Sequence, residues 1–324
     1  MNSGSFLQRR RVLLAFGAMA VVAGHGAAWY IVTGQIMAAV PAALGNAPAY
    51  GWTIEAGPPA RAGWPWAAVV HLPDVTAYSM GAPLRWTAAR LDLTVLPQDI
   101  GALRVSPVGA QTVQAGGAEP IPVMARQTTL RVPFAQDMPT TLEVLDLDAP
   151  GLRAGRLAAT LTPLDAQVTA SSVRQSPPLP RPFDGGMTLS ARLTLNHPVP
   201  FGASAAAAAS AWRSAGGEAA VPELDLLWGP LHATGSARIW LDPALQPVAQ
   251  ARVQVAGAAE LVDAAVGAGV LAPGPASAVR AVLGLLSLAA KGGPLTLPVD
   301  LTDHVLTVAR FPLARLPPLD WNRP

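Results

Sequence analysis

The chain has 324 residues, 51% of them hydrophobic and 13% charged, with a formal net charge of +2 and no cysteine. The missing thiol excludes a disulfide framework, a thiolate metal site, a cysteine nucleophile and a lipid attached through a lipobox cysteine. Setting aside Arg9, Arg10 and Arg11 from the 22 basic residues leaves 19 against 20 acidic ones, so the positive balance belongs to one N-terminal cluster and nucleic acid is not an expected partner.

That cluster precedes an apolar run, Val12 to Val32, with no formally charged residue except a possible charge on His25. A helix over the run reaches about 30 Å, the thickness of a bilayer hydrocarbon core. Arginines are retained on the cytoplasmic side during insertion, so the triplet acts as a topology signal. The expected organisation is a cytoplasmic tail over residues 1–11, a transmembrane anchor over 12–32, a linker over 33–45 and a periplasmic β-rich domain over 46–324. A cleaved signal peptide is the rival reading, with an apolar region from Val12 to Ala23 and small residues at Gly24, Gly26 and Ala28. The anchor is preferred because Trp29, Tyr30, Ile31 and Val32 prolong the apolar run and put aromatics at a membrane interface. Both readings export the remainder, which places the protein in the bacterial inner membrane or the periplasm.

Downstream, short alternating runs are punctuated by many of the 33 prolines and 30 glycines. Leu91, Leu93 and Val95 alternate with Asp92 and Thr94; Leu157, Ala159 and Leu161 with Ala158 and Thr160; Leu189, Ala191, Leu193 and Leu195 with Ser190, Arg192 and Thr194. Val253 and Val255 lie between Arg252, Gln254 and Ala256, and Leu295, Leu297, Val299 and Leu301 alternate with Thr296, Pro298 and Asp300. Period two with one polar face predicts antiparallel strands packed on one side and wet on the other. Pro298 places its strand at an edge, or turns its missing N–H away from a partner. Leu241 to Pro247 reads as a loop between two strands, and Thr302, Asp303 and His304 as a tight turn, because Asp and His tolerate left-handed φ.

Helical patterns are few. Ser204–Arg213 is alanine-rich and stops at Gly216 and Gly217; Ala258–Leu271 carries Leu261, Val262, Ala265, Val266 and Val270; Ala276–Lys291 carries Val279, Val282, Leu283, Leu286 and Ala290. The fold class expected is α+β and β-dominated: a large antiparallel curved sheet or sandwich, a few C-terminal helices and one N-terminal transmembrane helix.

Chemical motifs are sparse. His25, His71, His197, His232 and His304 have no metal-ligand spacing, and Gly-x-Ser-x-Gly and the phosphate-loop signature are absent. Gly267-Ala-Gly269-Val-Leu-Ala272 ends a helical pattern instead of opening one, which is wrong for a dinucleotide loop. Asp146 with Asp148, and Glu223 with Asp225, would share a strand face, as paired carboxylates for acid–base work do, but that face is also simply the solvated one. No cofactor, metal or catalytic residue is expected. Trp52, Trp64, Trp66, Trp86, Trp228 and Trp240 are the notable side chains, read as lining an apolar-ligand site or a membrane interface, or as filling a core built from small residues.

Several of these segments together resemble a known family. Gly51-Trp52-Thr53-Ile54-Glu55, the Gly63-Trp64-Pro65 turn, Ala82-Pro83-Leu84-Arg85-Trp86-Thr87-Ala88 leading into Leu91-Asp92-Leu93 and Leu96-Pro97-Gln98, then Trp228-Gly229-Pro230-Leu231, Leu241-Asp242-Pro243-Ala244-Leu245-Gln246-Pro247 and Phe311-Pro312-Leu313 are similar in order and spacing to domain of unknown function 2125. Asp303-His304 departs from the glycine expected in the last hairpin, and Trp66 from a more usual polar or basic residue. The resemblance implies an uncharacterised bacterial envelope protein, AsmA-like in general architecture, and carries no catalytic residues. The expected role is non-enzymatic: a membrane-anchored envelope protein that binds an apolar ligand or lipid, or scaffolds an envelope complex with a protein partner. A periplasmic hydrolase using His71, His197 or His232 with a dispersed serine and carboxylate, and a purely structural partner-binding module, are the alternatives.

Overall fold

The computed structural model describes residues 3–79, 84–116, 118–135, 138–175, 184–200, 205–267, 295–309, 311–319 and 321, with scattered positions between 274 and 284. Its first element, α1 (Ser3–Asn46), is one helix of 44 residues, about 66 Å long at 1.5 Å per residue. By length and composition it is apolar enough to cross a membrane. It passes into a single 3-10 turn, Ala47–Tyr50, which Gly51 closes in the left-handed conformation.

Among the described residues sixteen strands follow: β1 (Trp52–Glu55), β2 (Ala60–Ala62), β3 (Ala68–Ser79), β4 (Leu84–Leu96), β5 (Asp99–Ala115), β6 (Ile121–Pro133), β7 (Thr140–Ala149), β8 (Leu152–Leu161), β9 (Asp165–Gln175), β10 (Met187–Leu195), β11 (Glu218–Trp228), β12 (Leu231–Leu241), β13 (Pro247–Ala256), β14 (Leu295–Thr302), β15 (Val305–Val308) and β16 (Phe311–Arg315). From β3 to β16 each strand pairs with the next in the chain, and β1 and β2 share the free edge of β3. Every pairing is antiparallel. The β-dominated antiparallel fold expected from the alternation is therefore present, as one continuous sheet. Short helices interrupt the meander, among them α2 (Ala205–Ser214) and α3 (Ala258–Gly267). Both match the expected helical runs as far as they are described. Residues 268–273 lie outside the described residues. Of the stretch 276–291, residues 276–277, 279–281 and 283–284 are helical and the others are likewise outside.

The main core forms where α1 lies on the first strands. Val40 is buried with Val70, Leu72 and Val75 of β3 and Leu93 of β4, and Ile36, Met37, Leu44, Trp86, Leu91, Leu103 and Val105 pack around them. Burial along α1 falls at Gly26, Trp29, Thr33, Ile36, Met37, Val40 and Leu44, the three- and four-residue spacing of one helix face. Segment 33–45, expected as a linker, is thus helical and belongs to the core. Alternation in the strands is unaffected by this, because a helix needs only one apolar sheet face to dock on. Along β3, Val70 and Leu72 face the helix, and Asp74 takes a positive φ of 52°. That residue shifts the alternation by one, so Val75 and Ala77 return to the buried side.

A smaller cluster joins Leu231 of β12 to Ala264 and Leu261 of α3, with Leu226, Trp228 and Val255 packed against it. Farther along, Asp303 and His304 carry φ of 50° and 64° between β14 and β15, the two positive values that a two-residue hairpin turn demands. Pro298 is tolerated inside β14 for a geometric reason. Its carbonyl accepts a hydrogen bond from Ala309 N–H at 2.8 Å, on the β15 side, and in an antiparallel strand a residue's N–H and C=O point the same way. The missing donor therefore does not weaken the ladder to β13, where Pro298 stands opposite Arg252.

Candidate functional site: a groove between α1 and the sheet

Docking of α1 is polar as well as apolar at the N-terminal end of its contact with the sheet. Trp29 Nε1 donates to the Ala62 carbonyl at 3.1 Å. His25 Nε2 lies 2.5 Å from the Pro65 carbonyl; a carbonyl only accepts, so Nε2 carries the proton. Arg61 Nε donates to Thr33 Oγ1 at 3.2 Å, and its guanidinium stacks 4.2 Å from the centre of the Tyr30 ring. Thr33, fully buried, satisfies itself by donating back to the Trp29 carbonyl at 2.8 Å.

Between this seam and the strands, α1 leaves an apolar groove. One hollow of about 220 Å³ is bounded by His25, Ala28, Trp29, Val32, Pro65 and Leu96. A second, of about 490 Å³, runs on between Ile36, Ala39 and Val40 of the helix and Leu93, Leu103 and Phe134. The two share Val32, Val95 and Ile100, so they form one path along the helix. Gln35 is the one polar side chain lining the larger hollow, whose volume falls in the range of about 300–1,000 Å³ usual for small-molecule sites. At its rim Ile100 is 73% and Phe134 60% exposed.

On the opposite face of the same strands the side chains are polar and paired. His71 Nδ1 is 2.7 Å from Asp92 Oδ1, which also accepts from Arg90 Nε at 2.7 Å. Arg131 grips Asp99 with two hydrogen bonds of 2.9 and 2.8 Å, and Arg104 adds a third at 3.3 Å. Arg104 and Arg131 stand directly opposite in register, a like-charge contact that the bridging Asp99 carboxylate offsets. The Arg131 hydrogen bond, ahead of the partial burial that opposes it, lowers the Asp99 pKa to about 2.

The residues singled out from sequence are dispersed. Arg9, Arg10 and Arg11 lie in the early turns of α1. Trp86 packs in the main core and Trp228 in the smaller cluster; Trp52 opposes Ser79 and Trp240 opposes Glu218 and Val248. Trp64 lies against Gly26 of α1, and Trp64 and Trp66 are 52% and 84% exposed. The carboxylate pairs are not dyads: Asp146 binds Arg126 at 2.7 Å and Asp148 binds Arg153 at 3.1 Å, while Glu223 faces Arg192 at 4.0 Å and Asp225 faces His232 at 3.4 Å. Among the described residues no hydrogen bond joins His71, His197 or His232 to a serine hydroxyl. Ile36, Leu103, Ile100 and Phe134 carry no local motif, and only their places along alternating or helical patterns mark them as apolar-face residues.

Fold and groove together define a meandering antiparallel sheet strapped by an apolar N-terminal helix. Over residues 29–317 the chain matches the family described as an uncharacterised protein conserved in bacteria, domain of unknown function 2125, and it belongs to that family. No curated protein and no solved structure matches it.

Proposed function

We propose that this is a bitopic protein of the bacterial inner membrane whose exported sheet takes up a lipid acyl chain in the groove beside α1, with no catalytic step. The observation that carries the reading is the continuity of that groove with the helix. Its lower hollow abuts His25, Ala28 and Trp29, inside the run long enough to span the bilayer, so a chain leaving the hydrocarbon would meet apolar surface without crossing water.

Retention of the anchor is favoured by what lies upstream of the candidate cleavage positions. His25 bonds to Pro65, and Gly26 lies against the Trp64 indole, so residues that cleavage would remove are packed on the exported fold. The family match beginning at residue 29 is compatible with either fate of the segment.

The test is native mass spectrometry of the full-length protein released from membranes in mild detergent. A bound lipid that disappears when Ala39→Trp narrows the groove is the expected result. A lipid-free mass for the unmodified protein would overturn the acyl-chain reading.

A further inference from the structure

The turn Gly63–Ala67 is unusual for an exposed loop. From Ala62 to Val70 no side chain is charged or carries more polarity than an indole N–H, yet Trp64 and Trp66 are turned outward. Its shape is fixed: Gly63 has φ 87°, and a Cβ there would collide with the Val69 side chain and the Ala67 carbonyl oxygen. Trp66 N–H and Ala67 N–H both donate to the Gly63 carbonyl at 3.0 Å. His25 and Trp29 occupy the Pro65 and Ala62 carbonyls. These backbone groups are thus paired within the protein, the condition for entering a medium without water.

Its level along α1 follows from helix arithmetic. A hydrocarbon core of about 30 Å needs about 20 residues, so a span starting at Val12 ends near Val32. His25 is then about 10 Å short of the outer hydrocarbon edge. A span that ended before His25 would be only about 21 Å long measured from Arg11, too short to cross. Three successive arginines also resist being drawn inward to make up the difference. Because Pro65 is held on His25, the turn cannot stand clear of the membrane that α1 crosses.

We propose that Gly63–Ala67 is a second membrane contact, with Trp64 and Trp66 entering the periplasmic-leaflet boundary beside α1. The inference rests on the anchor reading given above. Tryptophan is the side chain that favours this interface, and interfacial elements bury themselves about 5–10 Å into the headgroup and acyl boundary, which agrees with the depth of His25. Arg61 completes the order. It is exposed and is held at Tyr30 and Thr33, about 8 to 12 Å farther along the helix than His25 and so level with the outer hydrocarbon edge, from which its long side chain reaches lipid phosphates, to which a guanidinium donates well. The end of the groove lined by Pro65, Ala67 and Leu96 then lies level with the lipid and not above it.

Because the chain has no cysteine, single nitroxide labels test this directly. Full-length W66C, V21C and L152C, labelled in nanodiscs of phosphatidylethanolamine and phosphatidylglycerol, are compared for collision with oxygen, which concentrates in lipid, and with a water-soluble nickel chelate. Position 66 should share the oxygen preference of position 21, with an oxygen-to-nickel ratio several-fold above that of position 152. Lipid exposure at 21 with water exposure at 66 would overturn the turn's insertion alone. Water exposure at both would overturn the anchor reading with it.

Discussion

Trp29 of α1 gives its indole N–H to the backbone carbonyl of Ala62 in β2, 33 residues later in the chain. This bond ties the apolar helix to the first edge of the sheet, and it marks where α1 changes role. On the N-terminal side of the seam, residues 19–25 are exposed around the helix; on the C-terminal side, one face packs as far as Leu44.

Undocking the helix should therefore destabilise the sheet. Val40→Ala removes two methyl groups from a site 6% exposed, and a cost on the order of 2 kcal/mol is expected for a buried truncation of this kind. Chemical denaturation of the detergent-solubilised protein reads it. Ala38→Ser, on the exposed side of the same helical stretch, should change stability by less than about 0.5 kcal/mol.

Gly63→Ala should lower stability by roughly 1–3 kcal/mol, because alanine is strained at positive φ and its methyl group meets Val69 and Ala67. Gly185→Ala, where nothing lies within 4 Å and φ is not positive, is the matched control. A melting temperature for Gly63→Ala equal to that of the control would show that the turn adjusts freely.

Asp99 predicts an acid limb. Its folded pKa, lowered to about 2 from 3.8, lies below the unfolded value, so ionisation stabilises the fold at pH above about 4 and that contribution is lost as pH falls toward 2. Denaturation midpoints measured across this range should fall more steeply for the parent protein than for Asp99→Asn. At neutral pH Asp99→Asn should already be the less stable, since Arg104 and Arg131 then face each other with no anion between them.

N-terminal sequencing of the protein recovered from membranes should start at the encoded N-terminus, and a C-terminal alkaline phosphatase fusion should be active in the periplasm. A mature end near Ala27 or Trp29 would replace the anchor by a signal peptide. Either cut would retain Trp29 and its bond to Ala62, and the core contacts of Val40 would remain.

Local chemistry made much of the sheet legible. Asp303 and His304 announced a turn because a two-residue hairpin requires two left-handed residues, and the apolar alternation of Leu91, Leu93 and Val95 marked a strand with one packed face. The linker reading of 33–45 failed for a specific reason. Ile36, Met37, Val40 and Leu44 are spaced for one helix face, but they continue an apolar run with no break, and an apolar helix end looks the same whether lipid or a sheet covers it. Asp146 and Asp148 were legible as residues of a solvated strand face, and the structure gives each its own arginine there, with Asp146 at a positive φ of 49°.

What the sequence determines by itself is what depends on neighbours in the chain: an N-terminal helix of membrane length behind three arginines, period-two strands and their turns, and the absence of thiol chemistry. The tertiary structure decided which surfaces meet. It laid the end of α1 across β3, β4 and β5, opened the groove along Val32, Val95 and Ile100, and brought Pro65 onto His25. Those contacts join residues tens of positions apart, and period and propensity carry no information about which partner an apolar face will choose.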